Sequence, residues 1–380
     1  MKKPWCTEPF NVMEDKVWGD WGLCCRSAPL PYNGKDVSPL EHFNSDLMKQ
    51  IRRDMIDHNM SDNIKKYCHK CIKHEESGIH SMRQNRMLTD KYPWKPIISA
   101  NENDGEIKDF DFRSVEIKFF GNLCNLQCKM CGPLYSSSIA AAQKKTGEYD
   151  GPVHINAFAD LNTAEKQQFY ADLAQILPYT EVLKFTGGEP MMNKGVQDMV
   201  QWIVDNNFHH NLLLKIITNG TKVNQELLAL GSQFQRFVIA LSIDGMWEVN
   251  DYQRTGADFS EINNNINEFK LAAGEHGVII YSATTAINVS SLDELIVYAK
   301  MRDLDVDMSS IVLSPSHMQI KVLPLKYRKK LIEKYSNPIY RHIVKALEDP
   351  EWDETLWKKF TKLNPEIGDL IPALKEYIDV

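Results

Sequence analysis

The stretch "CNLQCKMC", residues 124–131, decides how this chain is read. It follows the apolar run "VEIKFF" (115–120) and precedes "GPLYSSS" (132–138). Its three cysteines are separated by three residues and then by two. A tetrahedral metal site takes four ligands. The stretch supplies three, so the residues around it must explain the fourth.

From Val115 onward, short β-rich runs alternate with amphipathic segments. The pattern predicts strands over 115–120, 182–186, 212–218, 237–243, 278–287 and 311–313, with 320–323 as a further piece. Helices are expected at about 136–145, 163–177, 194–207, 224–231, 259–274 and 291–301. Strand and helix in alternation imply a parallel sheet with crossover helices. The near-continuous apolar strands suit a sheet covered on both faces. The expected fold class is α/β: an incomplete (β/α)6 TIM-like barrel with an irregular N-terminal segment and C-terminal helices. The corresponding divisions are 1–90 for the N-terminal cysteine segment, 91–111 for a linker, 112–324 for the partial barrel and 325–380 for a helical extension. In the first of these, one helix is expected over 45–59.

The chain has 380 residues, 43% hydrophobic and 25% charged, which is the composition of a globular protein with a sizeable core. Its net charge of -7 argues against non-specific coating of nucleic acid. No apolar run reaches the ~20 residues of a membrane span. The start, "MKKPWCTEPF", has no apolar stretch of the kind a signal peptide needs. Cytoplasmic residence is the expectation, and there eight cysteines read as metal ligands or reactive thiols.

In parallel barrels the chemistry gathers at the C-terminal ends of the strands. Cys124, Cys128 and Cys131 follow the first expected strand, and "FTGGEP" with Gly187, Gly188, Glu189 and Pro190 follows the second. "TNG", with Thr218 and Asn219, follows the third. The fourth ends in "SIDG", with Ser242 and Asp244, and leads on to Tyr252 and Arg254. The fifth ends near Thr285 and Asn288. Three thiolates hold three irons of a [4Fe–4S] cubane and leave the fourth iron open to a small molecule.

C-x-x-x-C-x-x-C after the first strand, with "GGEP" after the second, resembles the radical SAM superfamily over about residues 112–323. The resemblance implies that S-adenosylmethionine chelates the open iron through its amino and carboxylate groups. One electron then splits a C–S bond, and the 5′-deoxyadenosyl radical takes hydrogen from a substrate. It further implies that Cys124, Cys128 and Cys131 ligate the cluster. Gly187 and Gly188 would let backbone approach the cofactor, and Glu189 would accept from the methionine ammonium. Ser242 and Asp244 are placed for the ribose or carboxylate, and Arg254 for a bidentate pair with that carboxylate. Met130 stands where the family often has an aromatic residue against the adenine. Pro190, Thr218, Asn219 and Asn288 complete the expected cofactor pocket. The rival readings are zinc ligation, a simple tight turn at "GGEP", Asp244 as a helix cap and Arg254 as a structural salt bridge.

The other cysteines are Cys6, Cys24, Cys25, Cys68 and Cys71. "CTEPF", the "CC" pair, the Asn-Ser-led "FNSDLMKQIRRDM" and "CHKC" resemble, in that order, the auxiliary-cluster segment of SPASM and twitch radical SAM proteins. In the family that segment usually follows the barrel; here it precedes it. A second, auxiliary [4Fe–4S] cluster is implied, held by Cys6, Cys68, Cys71 and one of Cys24 and Cys25, with Cys25 preferred. A structural zinc knuckle is the alternative. Trp5, Trp18, Trp21 and Trp94 are expected as packing around these cysteines, and His317, Met318 and Tyr327 as packing or substrate-facing residues.

The implied activity is that of a radical SAM enzyme, with a flavodoxin- or ferredoxin-type electron donor as partner. A peptide or protein is the first substrate expected, by analogy with enzymes that carry the auxiliary segment. The alternatives are chemistry on a small molecule or nucleotide, and a non-catalytic iron–sulfur electron carrier. The chain is also similar to orphan phage radical SAM proteins, for which the cytoplasm would be the host's.

Overall fold

The structure, a computed structural model, describes residues 4–17, 19–33, 37–76, 81–89 and 93–378. Trp18 lies outside the described residues. The strands are β1 (Val12–Asp15), β2 (Asp20–Gly22), β3 (Pro29–Asn33), β4 (Phe112–Ile117), β5 (Gln127–Cys128), β6 (Thr180–Phe185), β7 (Leu213–Thr218), β8 (Arg236–Ser242), β9 (Arg254–Thr255), β10 (Val278–Thr284) and β11 (Asp305–Ile311). The fold is mixed α/β, with its long strands paired in parallel. The chain forms two compact units, 1–124 with 150–217 and 224–238, and 125–149 with 218–223 and 239–380.

In the first unit β1, β4, β6 and β7 pair in parallel in that order, and β2 and β3 add antiparallel at the β1 edge. The N-terminal segment is therefore not irregular throughout: its "VMED" run is a sheet strand. The sheet also departs from the expectation of two apolar faces. Leu183, Phe185, Leu214 and Ile216 are buried, while the alternate Val182, Lys184, Leu213 and Lys215 are only half-buried. Successive strand residues point to opposite faces, so one face is apolar and the other carries charge. The helices Thr163–Ile176 and Lys194–Asp205 turn Phe169, Leu173 and Ile176, and Val196, Met199, Val200 and Ile203, inward at helical spacing. The first starts on a capping box formed by Asn162 and Glu165.

The helix expected over 45–59 is Asp46–Ile56, capped by the Ser45 hydroxyl on Met48 N–H. Arg52 in its middle is fully buried. Its guanidinium donates to the carbonyls of Pro9 (2.8 Å), Gly105 (3.0 Å) and Phe43 (2.6 Å) and to Asn44 Oδ1 (3.1 Å). Asn44 also holds Ile107 through both backbone groups, at 2.8 and 3.0 Å. The Asn44, Ser45 and Arg52 pattern therefore ties the N-terminal chain to residues 105–107. Burial lowers the Arg52 pKa to about 9. Arg52→Met leaves three buried carbonyls without that donor and is expected to cost roughly 3–5 kcal/mol, read as a lower denaturation midpoint. The stretch expected as a linker contains a helix, Trp94–Glu102.

In the second unit β8, β10 and β11 pair in parallel, and β5 and β9 form a separate antiparallel pair. The helices Phe259–Ala273 and Leu292–Met301 fall where the periodicity places them. The last strand is Asp305–Ile311, not 311–313, and Ile320–Val322 is a single 3-10 turn rather than a strand. Helices Leu325–Lys334, Arg341–Leu347 and Glu354–Leu363 make up most of the tail. Met318 and Tyr327 lie in the buried core that these helices share with Ile287 and Val289, so both are packing residues.

Candidate active site

The cysteine loop divides between the units, and each half is held within its own. In the first unit, Gly188 N–H donates to Gly121 O (3.0 Å) and Glu189 N–H to Leu123 O (2.6 Å), which docks "GGEP" on the residues leading to Cys124. A Cβ on Gly188 would lie 2.2 Å from Leu123 O, and Gly187 has φ +124°. Both glycines are thus required by the chain's own backbone. Glu189 is buried, and its Oε1 accepts from Met191 N–H at 2.9 Å, capping the turn that Pro190 opens. Asn193 Nδ2 donates to Phe120 O (2.7 Å) and fixes the end of β4.

In the second unit, Cys128 pairs with Arg254 across β5 and β9. Arg254 Nη1 lies 3.9 Å from Cys128 Sγ, and its Nε is 2.8 Å from Asp244 Oδ2. Burial works against the charge on Arg254, but Asp244, Cys128 and Cys131 more than offset it, and its pKa rises. Asp244 is fully buried, with Oδ1 accepting from Ala283 N–H at 2.7 Å. Asn288 is fully buried as well: Nδ2 donates to Asp244 O (2.7 Å) and Ala283 O (3.1 Å), and Oδ1 accepts from Thr285 N–H (2.7 Å). Ser242 is half-buried in register with Tyr281, and Met130 is half-buried in the loop.

Sequence reasoning named Thr218, Asn219 and Thr285 but missed Asn125, Thr221 and Gln253, their partners in stapling this loop. Asn219 Nδ2 donates to Asn125 Oδ1 (3.0 Å), and Asn125 Nδ2 donates to Thr221 Oγ1 (2.9 Å). Gln253 accepts from Thr285 Oγ1 (2.6 Å), while its backbone carbonyl accepts from Lys129 N–H (2.9 Å). Thr218 Oγ1 accepts from Gly220 N–H (3.1 Å) and shapes the "TNG" turn. No spacing rule links Asn125 to residue 219; only their hydrogen bond in the fold does.

The N-terminal cysteines surround a separate cavity in the first unit. Cys6, Cys24, Cys68 and Cys71 line it, with Met55, Ile64 and Tyr67 among its walls. All are free thiols. Burial pushes the Cys6 and Cys24 thiols up, and burial with Cys71 nearby pushes Cys68 up to about 12. Cys25 is exposed, and its sulfur lies 3.2 Å from Met82 Sδ. The two adjacent cysteines thus differ in that Cys24 lines the cavity and Cys25 does not. Trp5 packs 5.6 Å from Phe10, Trp21 stacks on His42 at 4.8 Å, and Trp94 is exposed.

No family model matches the chain. Among curated proteins it is similar to Fe-coproporphyrin III synthase of Methanosarcina barkeri, 27% identical over 128 residues, which is 34% of this chain and 26% of that protein. The chain resembles the radical SAM superfamily. It spans about a quarter of the length of the curated relative it matches. Similar solved structures include anSMEcpe with bound AdoMet, at 19% identity and TM-score 0.45, covering 61% of this chain and 59% of that one. Streptococcus suis SuiB bound to precursor peptide SuiA is 13% identical with TM-score 0.42, covering 88% of this chain and 70% of that one.

The donor chemistry fits the groups that radical SAM proteins carry. Among the described residues, no three His, Cys, Asp or Glu side chains stand close enough to share one metal ion. A cubane needs a wider set, since each cysteine takes a different iron. The thiols lining the N-terminal cavity are soft sulfur donors, set among apolar Met55 and Ile64 and charged Glu8, Arg26 and Arg83. In the core loop, buried Arg254 places a positive charge beside a thiolate position. Among the described residues no helix is long and apolar enough to cross a membrane.

Proposed function

We propose that this chain is a radical SAM enzyme that cleaves S-adenosylmethionine reductively and starts its reaction by removing a hydrogen atom from a peptide or protein. When bound, a [4Fe–4S] cluster supplies the single electron for that cleavage. Cys124, Cys128 and Cys131 hold it and leave one iron for the cofactor. The observation that carries this reading is the loop itself: three cysteines, the middle one set by strand pairing 3.9 Å from a buried guanidinium. Arg254 balances negative charge that three thiolates bring to the loop. Asp244 and Asn288 hold Arg254 and the β10 end in place, and Gly187, Gly188, Glu189 and Pro190 set the approach to Cys124. Met130, Thr218, Asn219 and Ser242 complete the cofactor pocket.

The parallel strands read as an incomplete (β/α)6 barrel over 112–324, with 1–90 carrying the auxiliary cluster and 325–380 a helical extension. Cys6, Cys24, Cys68 and Cys71 hold that cluster in this reading; the cavity wall favours Cys24 over Cys25. Cys24→Ala is expected to lose the auxiliary cluster's absorbance and Cys25→Ala to keep it. The peptide substrate rests on the likeness of this segment to SPASM and twitch proteins. A flavodoxin- or ferredoxin-type protein serves as donor.

The test is anaerobic reconstitution, reduction with dithionite and chromatography for 5′-deoxyadenosine. Its formation, with about eight irons per chain, supports the enzyme with two cubanes. Intact clusters without cleavage favour an electron carrier, and about four irons with bound zinc favour a zinc-held N-terminal segment.

A further inference from the structure

The thiol cavity of the first unit has a fixed cation in its wall. Arg83 and Arg26 line it beside Cys6, Cys24, Cys68 and Cys71. Arg83 stands on the helix Met82–Thr89 and is 9% exposed. Its Nη1 donates to Trp5 O (2.8 Å) and its Nη2 to Glu75 Oε2 (2.5 Å). Glu75 lies one turn beyond Cys71 on the helix His69–Glu76, and its Oε1 accepts from the Ser81 hydroxyl (2.6 Å). Ser81 is fully buried, and its N–H donates to Gln84 Oε1 (3.0 Å). The guanidinium is thus held from two sides through its Nη groups.

Its third nitrogen is not engaged. Arg83 Nε is buried and makes no hydrogen bond among the described residues. A buried N–H left without an acceptor is costly, and folded proteins keep few of them. The carboxylates nearby are committed: Glu75 to Arg83 Nη2 and Ser81, and Glu8, on the cavity wall, to Arg113. Sulfur remains as the acceptor. The Arg83 charge acts on Cys68 and favours its thiolate form, and a thiolate takes a charge-assisted hydrogen bond from a guanidinium N–H. The charges around the cavity are otherwise balanced or screened. Arg83 pairs with Glu75, Glu8 with Arg113 and Lys16 with Glu14. Arg26 is half-buried and Lys70 exposed, so water screens both. What Arg83 adds is therefore a directed N–H rather than net charge.

We propose that Arg83 tunes the auxiliary centre: its Nε–H donates to the Cys68 sulfur once that cysteine is ligated, and this favours the reduced cluster. The inference rests on the auxiliary-cluster reading above. A hydrogen bond to a ligating sulfur draws electron density from the cluster and raises its potential. Lysine does not replace it, because a single ammonium is drawn to Glu75 and leaves no second donor fixed toward the cavity.

The experiment is a dye-mediated redox titration of the reconstituted full chain, followed by electron paramagnetic resonance. Cys68→Ala marks the auxiliary wave as the one it removes. In Arg83→Lys that wave should fall by about 59 mV, a tenfold shift toward the oxidised form for one electron, while the core wave stays. Arg26→Lys should move neither wave. If Arg83→Lys takes up less iron than the parent, Arg83→Met combined with Glu75→Gln removes both charges of the pair together and should show the same fall. An unchanged auxiliary wave in the iron-replete variant, or an equal fall in Arg26→Lys, overturns the proposal alone. No wave lost in Cys68→Ala overturns the auxiliary-cluster reading and the proposal with it. The titration uses no cofactor cleavage, so a chain that behaves as expected and makes no 5′-deoxyadenosine loses only the enzyme reading.

Discussion

Replacing Cys128 by alanine is expected to abolish 5′-deoxyadenosine formation while the auxiliary cluster keeps its absorbance. Cys128 is the middle thiol of the loop, and its strand pairing with Arg254 fixes its backbone whatever side chain it carries. The substitution therefore removes the proposed ligand without removing the fold around it. Two thiolates hold two irons, too few to keep a cubane with a single open corner. The N-terminal cavity shares no residue with this loop, so its iron should remain. Cleavage at the wild-type rate in this variant would refute the core ligand assignment.

Gly188→Ala is the second large effect. The new methyl would sit 2.2 Å from Leu123 O and 2.6 Å from the Asn122 carbonyl carbon, both backbone atoms that cannot rotate away. Either "GGEP" or the segment leading into Cys124 must move. Displacement on the order of 1 Å near reacting groups costs about a hundredfold in rate, and the variant should show a loss of that size in cleavage. Gly132, beside Cys131, has nothing within 4 Å of its would-be Cβ. Gly132→Ala is thus the control: near-normal cleavage there, with the large loss at Gly188, assigns the effect to contact with the loop. Equal activity of the two variants would show that the docking of "GGEP" on residues 121–123 does not matter.

The parts of the fold that sequence predicted are those written in local chemistry. The helix Thr163–Ile176 has its capping box, and Phe259–Ala273 has its Asp258 cap and evenly spaced apolar residues. What escaped was strand β11, "DVDMSSI", in which Met308 alone is buried. A polar edge strand carries no apolar run to find. Strand β1 escaped for a related reason: "VMED" ends in two carboxylates, Glu14 and Asp15, yet both are buried. Their burial depends on partners about a hundred residues away, since Glu14 meets Lys118 and Asp15 accepts from Lys118 N–H.

The candidate site divides in the same way. Cysteine spacing and "GGEP" are legible because they are contiguous. Arg254 was expected to meet the cofactor's carboxylate, and the structure pairs it with Asp244 and Cys128. That arrangement depends on the β5 and β9 pairing, which two-residue strands do not announce.

The central claim is that one iron of the core cluster is left for S-adenosylmethionine to bind. The most direct measurement is pulsed electron–nuclear double resonance on the reduced, reconstituted protein with cofactor labelled by nitrogen-15 at the amino group. The account predicts a nitrogen-15 coupling that disappears in the Cys128→Ala variant. A reduced core cluster with a clear spin signal and no coupling to the labelled nitrogen would contradict it.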